Sequence, residues 1–179
     1  MTDYYTTTVV QPAIPATDIT PLERLLLSHI FHAQPDGDAL YFYADEGPAD
    51  TVWLDRGPVE AALAQSKSIE STAVTVVTEQ LARLPADNAE LELDCSDDSC
   101  WQSIFQDIVR RSNTLRYITA VSAFTCSKML PHGFGGMAVV ITASDVMDKT
   151  TGDIIEDFLN EAVPGWADEA AKPSPVIAR

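Results

Sequence analysis

Leu-Arg-Tyr-Ile-Thr-Ala-Val-Ser-Ala-Phe-Thr at residues 115–125 and Met-Ala-Val-Val-Ile-Thr at residues 137–142 decide the fold class of this sequence. Both stretches are rich in β-branched and aromatic residues, which is typical of β-strands. A glycine-rich segment separates them, so we predict a hairpin. Weaker strand patterns occur at residues 4–11, 39–44, 51–54 and 90–94. The turn at residues 45–48 predicts that 51–54 pairs back onto 39–44.

Helix starts are marked by capping boxes, in which a hydroxyl residue and a residue three positions later bond to each other's backbone N–H groups. Pro21 supports the first helix start, because proline suits the first helical position. A longer helical stretch with one break covers residues 57–84. The predicted starts are at Thr20 with Glu23, at Ser99 with Gln102, and at Thr150 or Thr151.

The last predicted helix is strongly amphipathic, so one side should pack on the protein and the other should face water. The residues predicted to face inward are Ile154, Ile155, Phe158 and Leu159. The residues predicted to face water are Asp153, Glu156, Asp157 and Glu161.

The order strand, helix, strand, strand, helix occurs twice along the chain. It predicts an α+β domain with a mainly antiparallel sheet and helices packed on one face. Residues 1–162 form this domain, and the repeated order indicates two related halves at 1–85 and 89–162. Residues 163–179 contain three prolines and no periodicity, so a flexible or loosely docked tail is expected there.

The chain is strongly acidic, with 27 Asp and Glu against 11 Lys and Arg and a formal net charge of −16. Affinity for nucleic acid comes from Lys and Arg that neutralise phosphates, so the charge favours a cationic protein partner over DNA or RNA. No apolar run approaches the roughly 18 residues of a membrane span, and the first residues lack a signal-peptide pattern. We therefore expect a cytoplasmic protein that does not bind membranes.

The candidate site is the segment between the two best strands, Thr-Cys-Ser-Lys-Met-Leu-Pro-His-Gly-Phe-Gly-Gly at residues 125–136. Its glycines allow positive φ angles and close approach of the backbone. One interpretation is structural, with Cys126 buried and Phe134 packed on the core. Another is a recognition loop formed by Ser127, Gly133, Phe134, Gly135 and Gly136.

Two chemical interpretations of this segment also stay open. Cys126 could be a nucleophile activated by His132 or Lys128, although no acidic residue of the loop is placed to orient the imidazole. Alternatively, a zinc ion could be bound by Cys95, Cys100, Cys126 and His132. The odd number of cysteines is a poor basis for a disulfide framework, and we expect no metal and no other cofactor.

A resemblance adds to this picture. Thr125-Cys126-Ser127-Lys128, followed by Gly-Phe-Gly-Gly-Met-Ala-Val-Val-Ile-Thr-Ala at residues 133–143, resembles a motif in bacterial proteins of unassigned activity that are encoded on plasmids, integrative elements and phages. Residues 36–46 are similar to the N-terminal part of those proteins. The resemblance covers about half of the chain and implies an accessory protein of a mobile element. It implies no catalytic residues.

The sequence favours an interaction protein without catalytic activity. A small cysteine-dependent enzyme using Cys126 and His132 is the alternative from another class. A further alternative is an acidic inhibitor that mimics the phosphate array of DNA, which would need ordered rows of carboxylates. The candidate carboxylates are Asp45, Glu46, Asp50, Glu90, Glu92, Asp94, Asp97, Asp98, Asp153, Glu156, Asp157 and Glu161.

Overall fold

The structure is a computed structural model that describes residues 3–85, 87–97 and 99–163. Its strands are β1 (Tyr4–Gln11), β2 (Ile14–Pro15), β3 (His32–Asp36), β4 (Ala39–Ala44), β5 (Thr51–Asp55), β6 (Glu90–Asp94), β7 (Tyr117–Cys126), β8 (Gly135–Thr142) and β9 (Val146–Thr150). Its α-helices are α1 (Pro21–Ile30), α2 (Arg56–Ser66), α3 (Thr72–Arg83), α4 (Ser99–Arg111) and α5 (Thr151–Ala162). None of the helices in these ranges is long and apolar enough to cross a membrane. The predicted tail lies outside the described residues, apart from Val163.

The main sheet contains seven of the described strands, all paired antiparallel. At its centre β1 pairs with β7 along its whole length, from Tyr4 opposite Cys126 to Gln11 opposite Thr119. On one side of this pair lie β8 and then β9. On the other side lies β4, which pairs with β1 and β2 on one edge and with β3 on the other. The α+β class with a mainly antiparallel sheet is confirmed.

A second, two-stranded sheet corrects one prediction. β5 does not pair back onto β4; it pairs with β6, with Trp53 opposite Glu92. The backbone N–H of Cys95 also bonds to the carbonyl of Asp50 at 2.7 Å, just beyond the paired strands. The prediction failed because a strand's partner depends on packing between distant residues, whereas a nearby turn indicates only where the chain reverses.

The core lies between the main sheet and the helices. Alternate residues of the central strands are buried, as in Ile118 and Ala120 of β7 and Val139 and Ile141 of β8. A cluster of aromatic rings fills the space between the sheet and α4, with ring centroids 5.6 to 6.0 Å apart; it consists of Phe31, Phe42, Trp101 and Phe105. Such offset and edge-on ring pairs stabilise a core beyond the area that they bury.

The start of α1 confirms its predicted capping box. Thr20 Oγ1 accepts the Glu23 N–H at 3.2 Å, and Glu23 Oε2 accepts the Thr20 N–H at 2.9 Å. The Glu23 side chain is fully buried, and the same carboxylate oxygen accepts a hydrogen bond from Arg111 Nη2 at 2.7 Å. The carboxylate that caps α1 therefore also connects α1 to the end of α4.

Three strands and one helix start differ from the predictions. β2, β3 and β9 were not predicted. β2 has only two residues, and β3 and β9 are mostly exposed and polar, so they lack the apolar alternation that marks a half-buried strand. Ser99 lies inside α4, so it does not cap this helix. The Asp97 carboxylate accepts the Ser99 N–H at 2.9 Å instead.

The predicted internal repeat is not supported by the sheet topology. The first strand of the first half, β1, lies at the centre of the main sheet, whereas the first strand of the second half, β6, belongs to the small sheet. Corresponding strands of two copies would occupy equivalent positions. The similar order of elements therefore does not correspond to a similar arrangement.

Candidate functional site

The loop between β7 and β8 needs its glycines for close packing. A Cβ added at Gly133 would lie 2.3 Å from Cβ of Cys126, and one at Gly136 would lie 2.9 Å from the carbonyl oxygen of Ser122. A Cβ at Gly135 would lie 2.7 Å from Oγ1 of Thr151 at the start of α5. The positive φ angle in this loop belongs to Met129 at 52° and not to a glycine. The glycine-rich sequence is thus explained by three close approaches of the backbone.

The proposed nucleophile and its base are both in this loop, but in different environments. Cys126 is buried at the end of β7, whereas Lys128 and His132 are exposed. The His132 ring contacts Tyr4, with Nε2 at 3.5 Å from the phenol oxygen. Among the hydrogen bonds of the described residues, none joins His132 to Cys126. The thiol–imidazole hydrogen bond that a nucleophilic pair uses is not formed, and a catalytic role remains a prediction.

The same loop presents apolar side chains to solvent. Phe134 is 44% exposed and Met129 is 77% exposed, so the prediction that Phe134 packs on the core is wrong. Its neighbours Gly133 and Gly135 pack closely against Cys126 and Thr151, and the side chain of Phe134 between them stays at the protein surface. Ser127 joins the loop to the first strand, since its Oγ accepts the Asp3 N–H and its N–H donates to the Asp3 carbonyl, both at 3.0 Å. A recognition role for this loop also remains a prediction.

The cysteines form one close pair and one separate residue. Cys95 and Cys100 have their sulfur atoms 2.6 Å apart, whereas Cys126 is the last residue of β7 and lies beside Gly133. Within the described ranges no three His, Cys, Asp or Glu residues are grouped so that they could hold a metal ion. The sequence spacing of Cys95 and Cys100 hinted at their proximity but did not show that a strand end and a helix start bring them together.

Several of the acidic residues have local roles. Asp153 accepts the N–H and hydroxyl of Thr150 at 2.7 Å each, and Asp157 is paired with Lys149. Hydrogen bonds from the Ser96 hydroxyl and N–H lower the pKa of Asp94 below its ordinary value. β6 exposes one row of carboxylates at alternate positions, which are about 6.7 Å apart along a strand; they are Glu90, Glu92 and Asp94. Asp98 lies outside the described residues, and DNA mimicry remains a prediction.

Helix α5 gives the clearest departure from expectation. Its apolar residues do not face inward: Ile155 is 58% exposed and Phe158 is 63% exposed. At 100° per residue both lie in the middle of the apolar stripe, whereas Ile154 and Leu159 lie at its two edges and are less exposed. The middle of the stripe therefore points away from the domain. Periodicity predicted the stripe correctly, but it cannot show what covers a stripe.

The position of α5 explains this exposure. The helix follows β9, an edge strand, directly through its N-cap Thr150. Lys149 lies on the face of β9 opposite the core, since it pairs with the exposed Ala138, and its ammonium reaches Asp157 on α5. The contacts that hold α5 thus involve its N-terminus and its acidic side, and no described residue covers the middle of its apolar stripe.

Comparison with known proteins gives no further assignment, because the chain matches no family model, no curated protein and no solved structure. The fold defines it as an α+β protein, and the candidate sites rest on the geometry above.

Proposed function

We propose that this chain is a non-catalytic interaction protein that binds a protein partner through the apolar stripe of α5. The observation that carries the proposal is the exposure of Ile155 and Phe158 in the middle of that stripe. Exposed apolar clusters with a polar border are typical of binding surfaces. An amphipathic helix that inserts its apolar side into a groove is a common mode of recognition.

The charge around the stripe supports a basic protein partner. Acidic side chains border the apolar residues of α5, and the whole chain carries a net charge of −16. A second copy would bring two such acidic borders together, and like charges at an interface are unfavourable. An apolar groove with a basic rim fits better, because it buries the stripe and pairs with the carboxylates. The acidic border is formed by Asp153, Glu156, Asp157 and Glu161.

An accessory role in a mobile element is the biological setting that we infer, and its basis is the resemblance of residues 125–128 and 133–143 to proteins of such elements. The geometry of the glycine-rich loop supports an interaction role over a cysteine-dependent enzyme. Cys126 is buried, and the hydrogen bond that the structure gives the His132 ring is to Tyr4 and not to the thiol.

The test places a photo-crosslinking amino acid at position 155 of the full chain in its natural host. A matched chain carries it at position 53, an exposed position on the separate small sheet. We expect one basic protein to be crosslinked from position 155, with little crosslinking of that protein from position 53. Crosslinks that lead only to a second copy, or only to residues 164–179 of the same chain, would contradict the proposal.

Binding of the purified partner then measures the contribution of the stripe. Phe158→Ser is expected to weaken binding about thirtyfold, because a central aromatic anchor commonly contributes about 2 kcal/mol. Trp53→Ser is the matched control, because Trp53 is an aromatic residue of similar exposure, at 58%, on the separate small sheet. Equal affinities of the two variants would exclude α5 as the binding surface.

A further inference from the structure

Cys95 and Cys100 form a dithiol at the junction of a strand and a helix. Cys95 follows the last residue of β6, and Cys100 is the second residue of α4. Their sulfur atoms face each other at 2.6 Å, and both cysteines are free thiols. Four residues separate them in sequence. The fold therefore holds two reducing groups side by side, although the sequence pattern predicted no disulfide.

The dithiol borders an apolar cavity of about 260 Å³. Its apolar wall comes from α1, α3, α4 and the small sheet, through Leu26, Ile30, Val52, Val76, Leu93 and Ile104. The polar part of the lining includes the carboxylates of Asp94 and Asp97, beside the two thiols. A small molecule that enters the cavity would meet both the sulfur atoms and this negative charge.

We propose that Cys95 and Cys100 are a reversible thiol–disulfide site whose co-reactant is a small neutral or cationic disulfide. The neighbouring carboxylates disfavour an anionic disulfide through like-charge repulsion. The apolar wall accommodates the carbon chain of the co-reactant. This site is separate from the apolar stripe of α5 and does not depend on the proposed function.

The reaction takes place in two exchange steps. In the first, the Cys100 thiolate attacks one sulfur of the small disulfide, forms a mixed disulfide and releases the other half as a thiolate. In the second, the Cys95 thiol gives its proton to the released thiolate. The Cys95 sulfur then attacks Sγ of Cys100 and releases the remaining half of the small disulfide as a second thiolate. This second thiolate takes up the proton that Cys100 lost. Two protein thiols and one disulfide thus give one intramolecular disulfide and two small thiols. An excess of small thiol reverses both steps.

The two cysteines differ in exposure and in pKa, and both differences favour Cys100 as the residue that reacts first. Cys95 is buried, at 5% exposure, whereas Cys100 is partly exposed, so Cys100 is the residue that an incoming disulfide reaches. The hydrogen bond from the Cys95 thiol lowers the pKa of Cys100 below its ordinary value. The same bond raises the pKa of Cys95, which keeps it protonated until Cys100 has reacted. Cys100 also lies in the first turn of a helix, where thiolates are stabilised.

The test treats the reduced full-length chain with cystamine, a small cationic disulfide, near neutral pH and without oxygen. We expect loss of two hydrogens by intact mass, and peptide mapping should join Cys95 to Cys100. Cys126→Ala should behave in the same way. Cys95→Ser, which keeps a hydroxyl donor beside Cys100, should stop at the mixed disulfide on Cys100, and Cys100→Ser should react at least about tenfold more slowly.

Three results would overturn the proposal. They are a disulfide that includes Cys126, a disulfide between two chains, and equal rates for Cys95→Ser and Cys100→Ser in folded variants, as judged by circular dichroism. The class of co-reactant is tested separately at low salt, where cystamine should react about tenfold faster than the anionic glutathione disulfide. Asp97→Asn should reduce that preference, and equal rates in the unmodified chain would contradict the assigned class.

Discussion

At the scale of single residues, the ion pair of Glu23 and Arg111 links α1 to the end of α4. Glu23 is fully buried, and its Oε1 has no partner among the described residues. Its other oxygen depends on Arg111 and on the Thr20 N–H. Removing one partner of such a pair leaves a buried charge without compensation, which costs much more than the pair itself contributes.

Arg111→Met is therefore expected to lower the free energy of unfolding by about 3 kcal/mol, as measured by urea denaturation. The control is Arg83→Met, because Arg83 and Glu79 form a pair at 3.5 Å in which both side chains are largely exposed. That variant should lose less than about 0.5 kcal/mol. Similar losses in both variants would show that the Glu23–Arg111 contact does not stabilise the fold.

The glycine-rich loop gives a second prediction at this scale. Gly136→Ala would place a Cβ 2.9 Å from the backbone oxygen of Ser122, so a strand must shift, and we expect a loss of about 1–3 kcal/mol. Gly57→Ala is the matched control, because nothing lies within 4 Å of its added Cβ and it is inside α2. That substitution should stabilise the protein by up to about 1 kcal/mol. Thermal unfolding of the two variants distinguishes these effects, and a neutral Gly136→Ala would refute the packing argument.

The Cys95–Cys100 hydrogen bond predicts a pH dependence. Because this bond lowers the pKa of Cys100, alkylation of Cys100 by iodoacetamide should become fast at a lower pH than for an ordinary thiol. Cys95→Ala removes the donor, so the midpoint of the rate against pH should move upward. The measurement uses the Cys126→Ala background, in which alkylation at Cys100 is followed by peptide mass. An unchanged midpoint would mean that Cys95 does not donate to Cys100.

At the scale of elements, α5 depends on its cap more than on packing, since none of its residues is buried. Hydrogen bonds from the Thr150 hydroxyl and N–H lower the pKa of Asp153. A carboxylate with a lowered pKa stabilises the folded helix above its ordinary pKa, and this contribution is lost as the pH falls through the lowered value. The helix should therefore keep its cap at neutral pH and fray in acid.

Thr150→Ala should cause the same fraying at neutral pH, at a cost of about 1 kcal/mol. Amide hydrogen exchange in residues 151–162 measures it, and protection there should fall while protection in β7 stays unchanged. Thr17→Ala is a control that should leave α5 unchanged, because Thr17 is exposed and its hydroxyl makes a long hydrogen bond of 3.4 Å to Asp18. Intact protection of α5 in Thr150→Ala would show that something other than the cap holds the helix.

Some elements could be predicted from the sequence because their causes are local. The bonds between Thr20 and Glu23 join residues three apart, and the alternation in β1 and β4 reflects burial of one face. The partner of β5 and the exposure of α5 depend on residues far away in sequence. The buried position of Cys126 was among the interpretations. Cys95 and Cys100 were brought together only as two ligands of a zinc site, and their direct contact was not predicted.

At the scale of the whole molecule, the net charge of −16 should govern the approach of a basic partner. Encounters between oppositely charged proteins are accelerated at low ionic strength, and salt screens this effect. We expect the association rate to fall severalfold as salt rises from low to physiological concentration, while the dissociation rate changes little. Stopped-flow mixing measures both rates. A salt-independent association rate would show that the negative charge of the chain does not accelerate binding of the partner.

The central strand pair has a consequence for the way this chain is made. Thr8 and Ser122 touch across β1 and β7 with their hydroxyl oxygens 2.8 Å apart, although they are 114 positions apart in sequence. During synthesis β1 leaves the ribosome well before β7, with which it pairs along its whole length. Until then the Thr- and Val-rich strand β1 has unpaired edges, which favour association with other nascent chains. Efficient production of this protein therefore depends on how β1 is shielded while translation continues.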